Sequence, residues 1–308
     1  MRPDRVERKE RSFRVTRPAS RSKCHLLAVA LSAALTGCVT SGNVVTWSEL
    51  ERREPKELGP REARIGATPG DEDVVRVPAG CFQMGSDDGD HDERPPHEVC
   101  LSVFYIDRLE VSNGRYAQCV AAGVCRAPDR YPERPELSEA DRPVVGVSWL
   151  DADRYCQWVG MRLPTDAEWE LAAAGTDGRQ YPWGNELPSC DRAVYAHCPP
   201  HSTVAVDSYP EGASPYGALH MAGNAWEWVA DWWAPYYYRR SPRQDPPGPE
   251  IGRMRSIRGG CWNRSLWHLR VADRDSGVVG LRNDHVGFRC ARSERDHVAT
   301  TYRAPEGS

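Results

Sequence analysis

Eleven cysteines in 308 residues are the side chains with the most chemistry open to them. A thiolate is a nucleophile and a soft-metal ligand, and two thiols can close a disulfide. Position sorts them. Cys24 and Cys38 flank an apolar run near the N-terminus, and nine more follow between Cys81 and Cys290. An odd number leaves at least one thiol outside any set of pairs. Cys119 and Cys125 bracket Ala121-Ala122-Gly123, a turn that can bring them together. Cys190 and Cys198 can close a similar short loop. Cys81 and Cys100 fall on two candidate strands, where a bridge would lock a hairpin. A second chemical candidate is the acidic run Asp87-Asp88-Gly89-Asp90-His91-Asp92-Glu93. An EF-hand loop starting at Asp87 needs glycine where Asp92 stands, so the run reads as a solvated loop. No Ser-His-Asp or phosphate-binding glycine pattern stands out.

These residues need elements to position them. Val74 to Met84 reads as a strand entering a turn at Gly85, and Val99 to Ile106 as a second strand. Ser112 can cap a helix running to about Ala122, and Ser148 another through Trp158. Thr165-Asp166-Ala167-Glu168 is a capping box opening a helix to about Ala174. Beyond Gly175 the chain reads as turns and short strands. Gly (26) and Pro (25) are abundant, and Trp (11) outnumbers Phe (4). A chain this rich in loops and Trp gains from disulfide staples, provided its compartment is oxidising.

The N-terminus predicts such a compartment. Residues 1–37 hold nine Lys/Arg and three Asp/Glu, and Leu26 to Leu35 form an apolar run. The run is shorter than the roughly 20 residues that span a bilayer and suits a signal-peptide core. It ends in Leu35-Thr36-Gly37-Cys38, which resembles the lipobox of bacterial lipoproteins. The expected order is a signal peptide (1–37), a lipid-anchored flexible tether from Cys38 to residue 73, a domain at 74–294 and a disordered tail (295–308). Without residues 1–37 the net charge of −4 falls to near −10. No basic stripe remains to track phosphates, so nucleic acid is not an expected partner. The membrane, through the lipid, is one expected partner, and a protein or peptide ligand is the other. The setting is the bacterial cell envelope, periplasmic or surface-exposed.

Ordered strings along the domain match a family. They are Val77-Pro78-Ala79-Gly80 with Met84-Gly85, and Phe104-Tyr105-Ile106-Asp107 with Glu110-Val111-Ser112-Asn113. Arg162-Leu163-Pro164-Thr165-Asp166-Ala167-Glu168-Trp169-Glu170 is the most specific. Tyr181-Pro182-Trp183-Gly184, Gly223-Asn224-Ala225-Trp226-Glu227-Trp228, Arg258-Gly259-Gly260 and Gly287-Phe288-Arg289 follow. Over roughly 220 residues the chain resembles the formylglycine-generating enzyme (sulfatase-modifying factor) family. The resemblance implies an α+β, C-type-lectin-like fold, irregular and disulfide-stapled.

It also implies pairing of Cys156 with Cys290, which leaves Cys261 over. Active members bind copper(I) through two cysteines just after Arg-Gly-Gly and oxidise a substrate cysteine to formylglycine. Copper(I) prefers sulfur, yet no cysteine lies between Cys261 and Cys290. The resemblance therefore predicts a scaffold without its copper pair: a binding or non-copper member. The alternative is an oxidase or other metal-dependent oxidoreductase with rearranged ligands, drawing on Cys261, His268 or His285. The family's calcium site would map to the Glu227 carboxylate with carbonyls of His220, Gly223 and Ala225. Trp226, Arg258, Trp262 and Arg270 are the expected binding groove. Tyr236 to Arg240, leading to Pro249, is the expected exposed loop.

Overall fold

The computed structural model describes residues 73–294 and 296. The expected signal peptide, the Cys38 lipidation site, nearly all of the tether and all but Asp296 of the tail lie outside the described residues.

Each long strand expected near the start is broken in two. Strands β1 (Val74–Val77) and β2 (Gly80–Met84) are separated by Pro78 and Ala79. Strands β3 (His97–Leu101) and β4 (Phe104–Asp107) are separated by Ser102 and Val103. Pro78 has no N–H for a ladder, so the chain turns a corner there. The result is one hairpin shared between two sheets. β2 pairs antiparallel with β3, and β1 with β4. β4 also takes β9 (Ala291–Ser293), so the C-terminal strand closes onto the N-terminal hairpin.

Three helices follow their caps. Helix α1 (Asn113–Ala121) begins where the Ser112 hydroxyl accepts the Arg115 N–H. Helix α2 (Trp149–Trp158) opens with a Ser148–Asp151 capping box. Helix α3 (Asp166–Ala174) opens with the Thr165–Glu168 box. Such boxes satisfy orphan amides at both ends of the first turn. Every residue of α3 is buried, its three carboxylates included. That helix carries charge into the interior, and the partners of those charges build the site.

Beyond α3, strands β5 (Trp226–Trp232), β6 (Met254–Arg258), β7 (Arg274–Val278) and β8 (Val286–Phe288) form a sheet of order β7-β6-β5-β8. One apolar core joins α1 and α2 to β5 and β8 through Tyr116, Tyr155, Trp228 and Phe288. Another wraps α3 and the first hairpin through Phe82, Phe104, Ile106 and Trp169. Disulfides join Cys81 to Cys100, Cys119 to Cys125, Cys156 to Cys290 and Cys190 to Cys198. Cys156–Cys290 spans 134 residues and ties α2 to the residue before β9. Among the described residues Cys261 alone is a free thiol.

Candidate functional site

Cys261 follows β6 and Gly259-Gly260, both glycines having positive φ. At Gly260 a Cβ would lie 2.4 Å from the His268 carbonyl oxygen, so this turn admits no side chain. The turn folds Cys261 inward, where it is fully buried. Its thiol sits 3.1 Å from the Asn263 side-chain oxygen. Burial pushes its pKa up to about 12, so it is held as a thiol, not a thiolate. Trp226 lies behind it, 1 % exposed, with the His268 ring edge-on at 5.9 Å. His268 hydrogen-bonds the Asp273 carboxylate at 3.2 Å, and that bond raises the imidazole pKa. His285 instead pairs with its neighbour Asp284 at 2.7 Å.

Copper(I) does not fit this arrangement. Copper(I) prefers a pair of sulfur ligands, and among the described residues Cys261 is the single free thiol. Cys290, the next cysteine, is locked to Cys156.

The expected calcium carboxylate, Glu227, is engaged by protein groups. Glu227 accepts the Trp169 indole N–H at 2.8 Å and two guanidinium N–H groups of Arg289 at 2.6 and 2.7 Å. Arg289 already neutralises that carboxylate and would repel a second cation. Arg289 also donates to the Leu219 carbonyl. The Gly223-Asn224-Ala225 turn is held by another buried carboxylate, Glu110, which accepts from the Asn224 amide and the Ala225 N–H. His220 is buried, and its pKa is lowered to about 3 by burial and by Arg289, so its ring is neutral.

The expected groove residues are engaged by neighbouring side chains. Arg258 is fully buried and ion-paired to Asp166 and Glu170 on α3. Arg270 clamps Glu93 with bonds of 2.6 and 2.8 Å and reaches Asp273 at 3.1 Å. Trp262 is roofed by the Arg134 guanidinium, 4.2 Å from the ring centre. Trp226, Arg258 and Trp262 are buried, while Arg270, with its guanidinium committed, lines a cavity beside the first hairpin and α3. Two further expectations change. The acidic loop is solvated at Asp87, Asp88, Asp90 and His91, whereas Asp92 and Glu93 are buried. In the tyrosine loop Tyr236, Arg239 and Arg240 are exposed, as are Pro242 to Asp245 further on, while Tyr238 is buried against Arg274 and His97.

Asp90, Glu93 and Asp273 cluster closely enough to hold a metal ion. Arg270 already occupies the middle of that cluster. Glu93, Asp273, Glu110 and Arg274 were not among the sequence-derived site residues. A signal existed for Arg274 alone: it pairs with Asp166 on α3, and buried acids on that apolar helix require arginines from distant strands.

This mixed α+β fold, stapled by four disulfides, is that of the sulfatase-modifying factor class. The model of the sulfatase-modifying factor enzyme 1-like domain matches residues 62–294, and the chain belongs to that family. It is 37 % identical to the formylglycine-generating enzyme of Streptomyces coelicolor, over 70 % of this chain and 88 % of that protein. It is 36 % identical to the serine/threonine-protein kinase pkn1 of Chlamydia caviae, over 71 % of this chain but 38 % of that protein. The chain thus spans well under half the length of that relative. The structure of PvdO from Pseudomonas aeruginosa superposes with a TM-score of 0.63 at 29 % identity, covering 71 % of this chain and 94 % of that one. Four disulfides mark the domain as extracytoplasmic, since such bonds persist in oxidising compartments.

Proposed function

We propose that this chain is an exported, lipid-anchored member of the family that binds a ligand and does not generate formylglycine. One observation carries the reading: the only free thiol among the described residues is buried and has no second free sulfur to share a copper ion, Cys290 being bonded to Cys156. Formylglycine formation on copper(I) needs two thiolates at one place. The anchor is supported by the apolar run at Leu26–Leu35 and by Leu35-Thr36-Gly37-Cys38. The intact scaffold supports binding: its family-matching strings are retained while the copper pair is absent.

The test is to load the purified full chain with copper(I) under reducing conditions. Native mass spectrometry then counts the metal, and mass mapping follows a sulfatase-type cysteine peptide. The expected result is no stoichiometric copper and no loss of the peptide thiol. Stoichiometric copper with conversion to the aldehyde overturns the reading in favour of a rearranged oxidase.

A further inference from the structure

Among the described residues, the outer strands of the three sheets are covered or charged, except β2. β9 exchanges backbone hydrogen bonds with Arg162, and β8 gives its Phe288 carbonyl to the Val111 N–H. β3 is covered on its outer side by the segment at 243–245. There the Cys100 N–H donates to the Arg243 carbonyl at 2.7 Å, and the Cys100 carbonyl accepts the Asp245 N–H at 2.9 Å. β7 carries Arg274 and Asp275, and β1 carries Arg76, paired with Glu294. Charges and covers of this kind keep open edges from pairing with other chains. β2, by contrast, has no charged residue, and β3 is its one backbone ladder among the described residues.

The register tells which groups that edge offers. Cys81 stands opposite Cys100, and Gln83 opposite Glu98. The Cys100 N–H and carbonyl face away from β2, toward 243–245. The Cys81–Cys100 pair therefore exchanges no backbone hydrogen bonds. Bonded and non-bonded pairs alternate along an antiparallel ladder, so the Gln83–Glu98 pair is of the same kind. The N–H and C=O groups of Cys81 and Gln83 consequently point outward from β2, and both residues are exposed. The Cys81–Cys100 disulfide holds the strand that presents them.

A cavity of about 380 Å³ lies beside this edge. Phe82 and Gln83 both line it. Neighbours on a strand point to opposite faces, and here Phe82 is buried while Gln83 is exposed. A space that both residues reach runs along the edge of the strand. Ala174, Val271 and Ala272 line it too and, with Phe82, give it an apolar wall. Outward N–H and C=O groups two residues apart match the repeat of another extended backbone. The apolar wall matches side chains on one face of such a strand.

We propose that β2 takes an extended peptide of a partner protein as an added strand, with apolar side chains at alternate positions entering the cavity. In this mode main-chain hydrogen bonds give affinity and the side-chain pocket gives specificity. The inference rests on the binding reading above and names its partner class. The two are tested apart, because copper uptake is read at Cys261 and strand addition at Gln83.

The probe is an end-blocked heptapeptide alternating serine and valine, titrated into the full chain by calorimetry. Amide hydrogen exchange follows the protein in parallel. Saturable binding is expected, with slower exchange at residues 81–84. Two copies of the peptide, methylated on the serine or on the valine backbone nitrogens, block its opposite edges. One of them is expected to lose at least tenfold in affinity. Gln83→Pro removes an outward N–H and leaves the β3 ladder intact, as proline is tolerated on a strand edge whose N–H faces solvent. It is expected to lose at least tenfold with an unchanged unfolding midpoint, whereas Gln83→Ala, which keeps the N–H, is expected to bind as the parent does. If the proline variant fails to fold, the methylated peptides decide the matter alone. The proposal is overturned if the heptapeptide does not saturate below about 10 mM. It is equally overturned if both methylated copies bind as tightly as the unmethylated peptide, or if a folded Gln83→Pro variant binds as tightly as the parent.

Discussion

At the scale of single residues, burial decides chemistry here more than residue type does. Cys261 is a thiol kept from ionising, Glu227 a carboxylate kept on an arginine, and His220 an imidazole kept neutral. Asp231 on β5 carries the same logic to a measurable consequence. It is 4 % exposed, and one oxygen accepts the Asp166 N–H at 2.8 Å. Burial, and then the neighbouring Asp166 charge, raise its pKa from 3.8 to about 8. A carboxyl with a raised folded-state pKa stays protonated in the fold while the unfolded chain ionises. Its contribution is therefore complete below about pH 4 and is lost as pH rises toward 8. The expected slope is at most about 1.4 kcal/mol per pH unit. Asp231→Asn keeps an acceptor for the Asp166 N–H and has no proton to lose. Urea unfolding from pH 4 to 8 should show a shallower decline for the variant; parallel curves would disprove the assignment.

At the scale of elements, α3 is the piece on which the site depends. It is nine residues long and presents no solvent face, so charge pairs on an exposed flank cannot stabilise it. Its start depends on the Thr165–Glu168 box, in which the Thr165 hydroxyl accepts the Glu168 N–H at 3.1 Å. The Glu168 carboxylate accepts the Thr165 N–H at 2.8 Å and holds Arg162 through bonds of 2.6 and 2.7 Å. Removing an N-cap hydroxyl costs about 1 kcal/mol, within roughly 0.5–2. Thr165→Ala should lower stability by about that amount in chemical denaturation, and Thr165→Ser should recover most of it. Equal losses in both would show that the methyl group, not the hydroxyl, is what matters. Loosening α3 also frees Asp166 and Glu170, the partners of Arg258.

At the scale of the whole molecule, closure is the main theme. β9 pairs with β4, Arg162 exchanges hydrogen bonds with Ala291, and Cys156–Cys290 fixes the same junction covalently. In the chain-entropy model a 134-residue loop contributes about 5 kcal/mol and a six-residue loop about 2. The Cys156→Ser/Cys290→Ser pair should therefore be more damaging than Cys119→Ser/Cys125→Ser, by about 3 kcal/mol. Unfolding midpoints of the two double variants compare them directly. The reverse order would place the stabilisation in native-state contacts instead of chain closure.

How much of this could be read from the sequence follows from the range of each interaction. The helix starts were legible at Ser112, Ser148 and Thr165, because a cap is a contact between residues three apart. The family was legible because its strings keep order and spacing, and the missing second sulfur was legible by inspection of the residues after Cys261. The corners at Pro78 and Ser102 were not, although a proline marks the first of them, because the strand pattern continues through both. The partners of the buried charges were not legible at all. Glu227 meets Arg289 across 62 residues, Arg270 meets Glu93 across 177, and Arg258 meets Asp166 across 92. Sequence alone determined that carboxylates and arginines were present in a Trp-rich, cysteine-stapled domain lacking a thiolate pair. Only the tertiary structure decided which charge neutralises which. That choice set Glu227 on Arg289 and Arg258 on Asp166 and Glu170, because a buried ion is tolerated only beside its counter-ion.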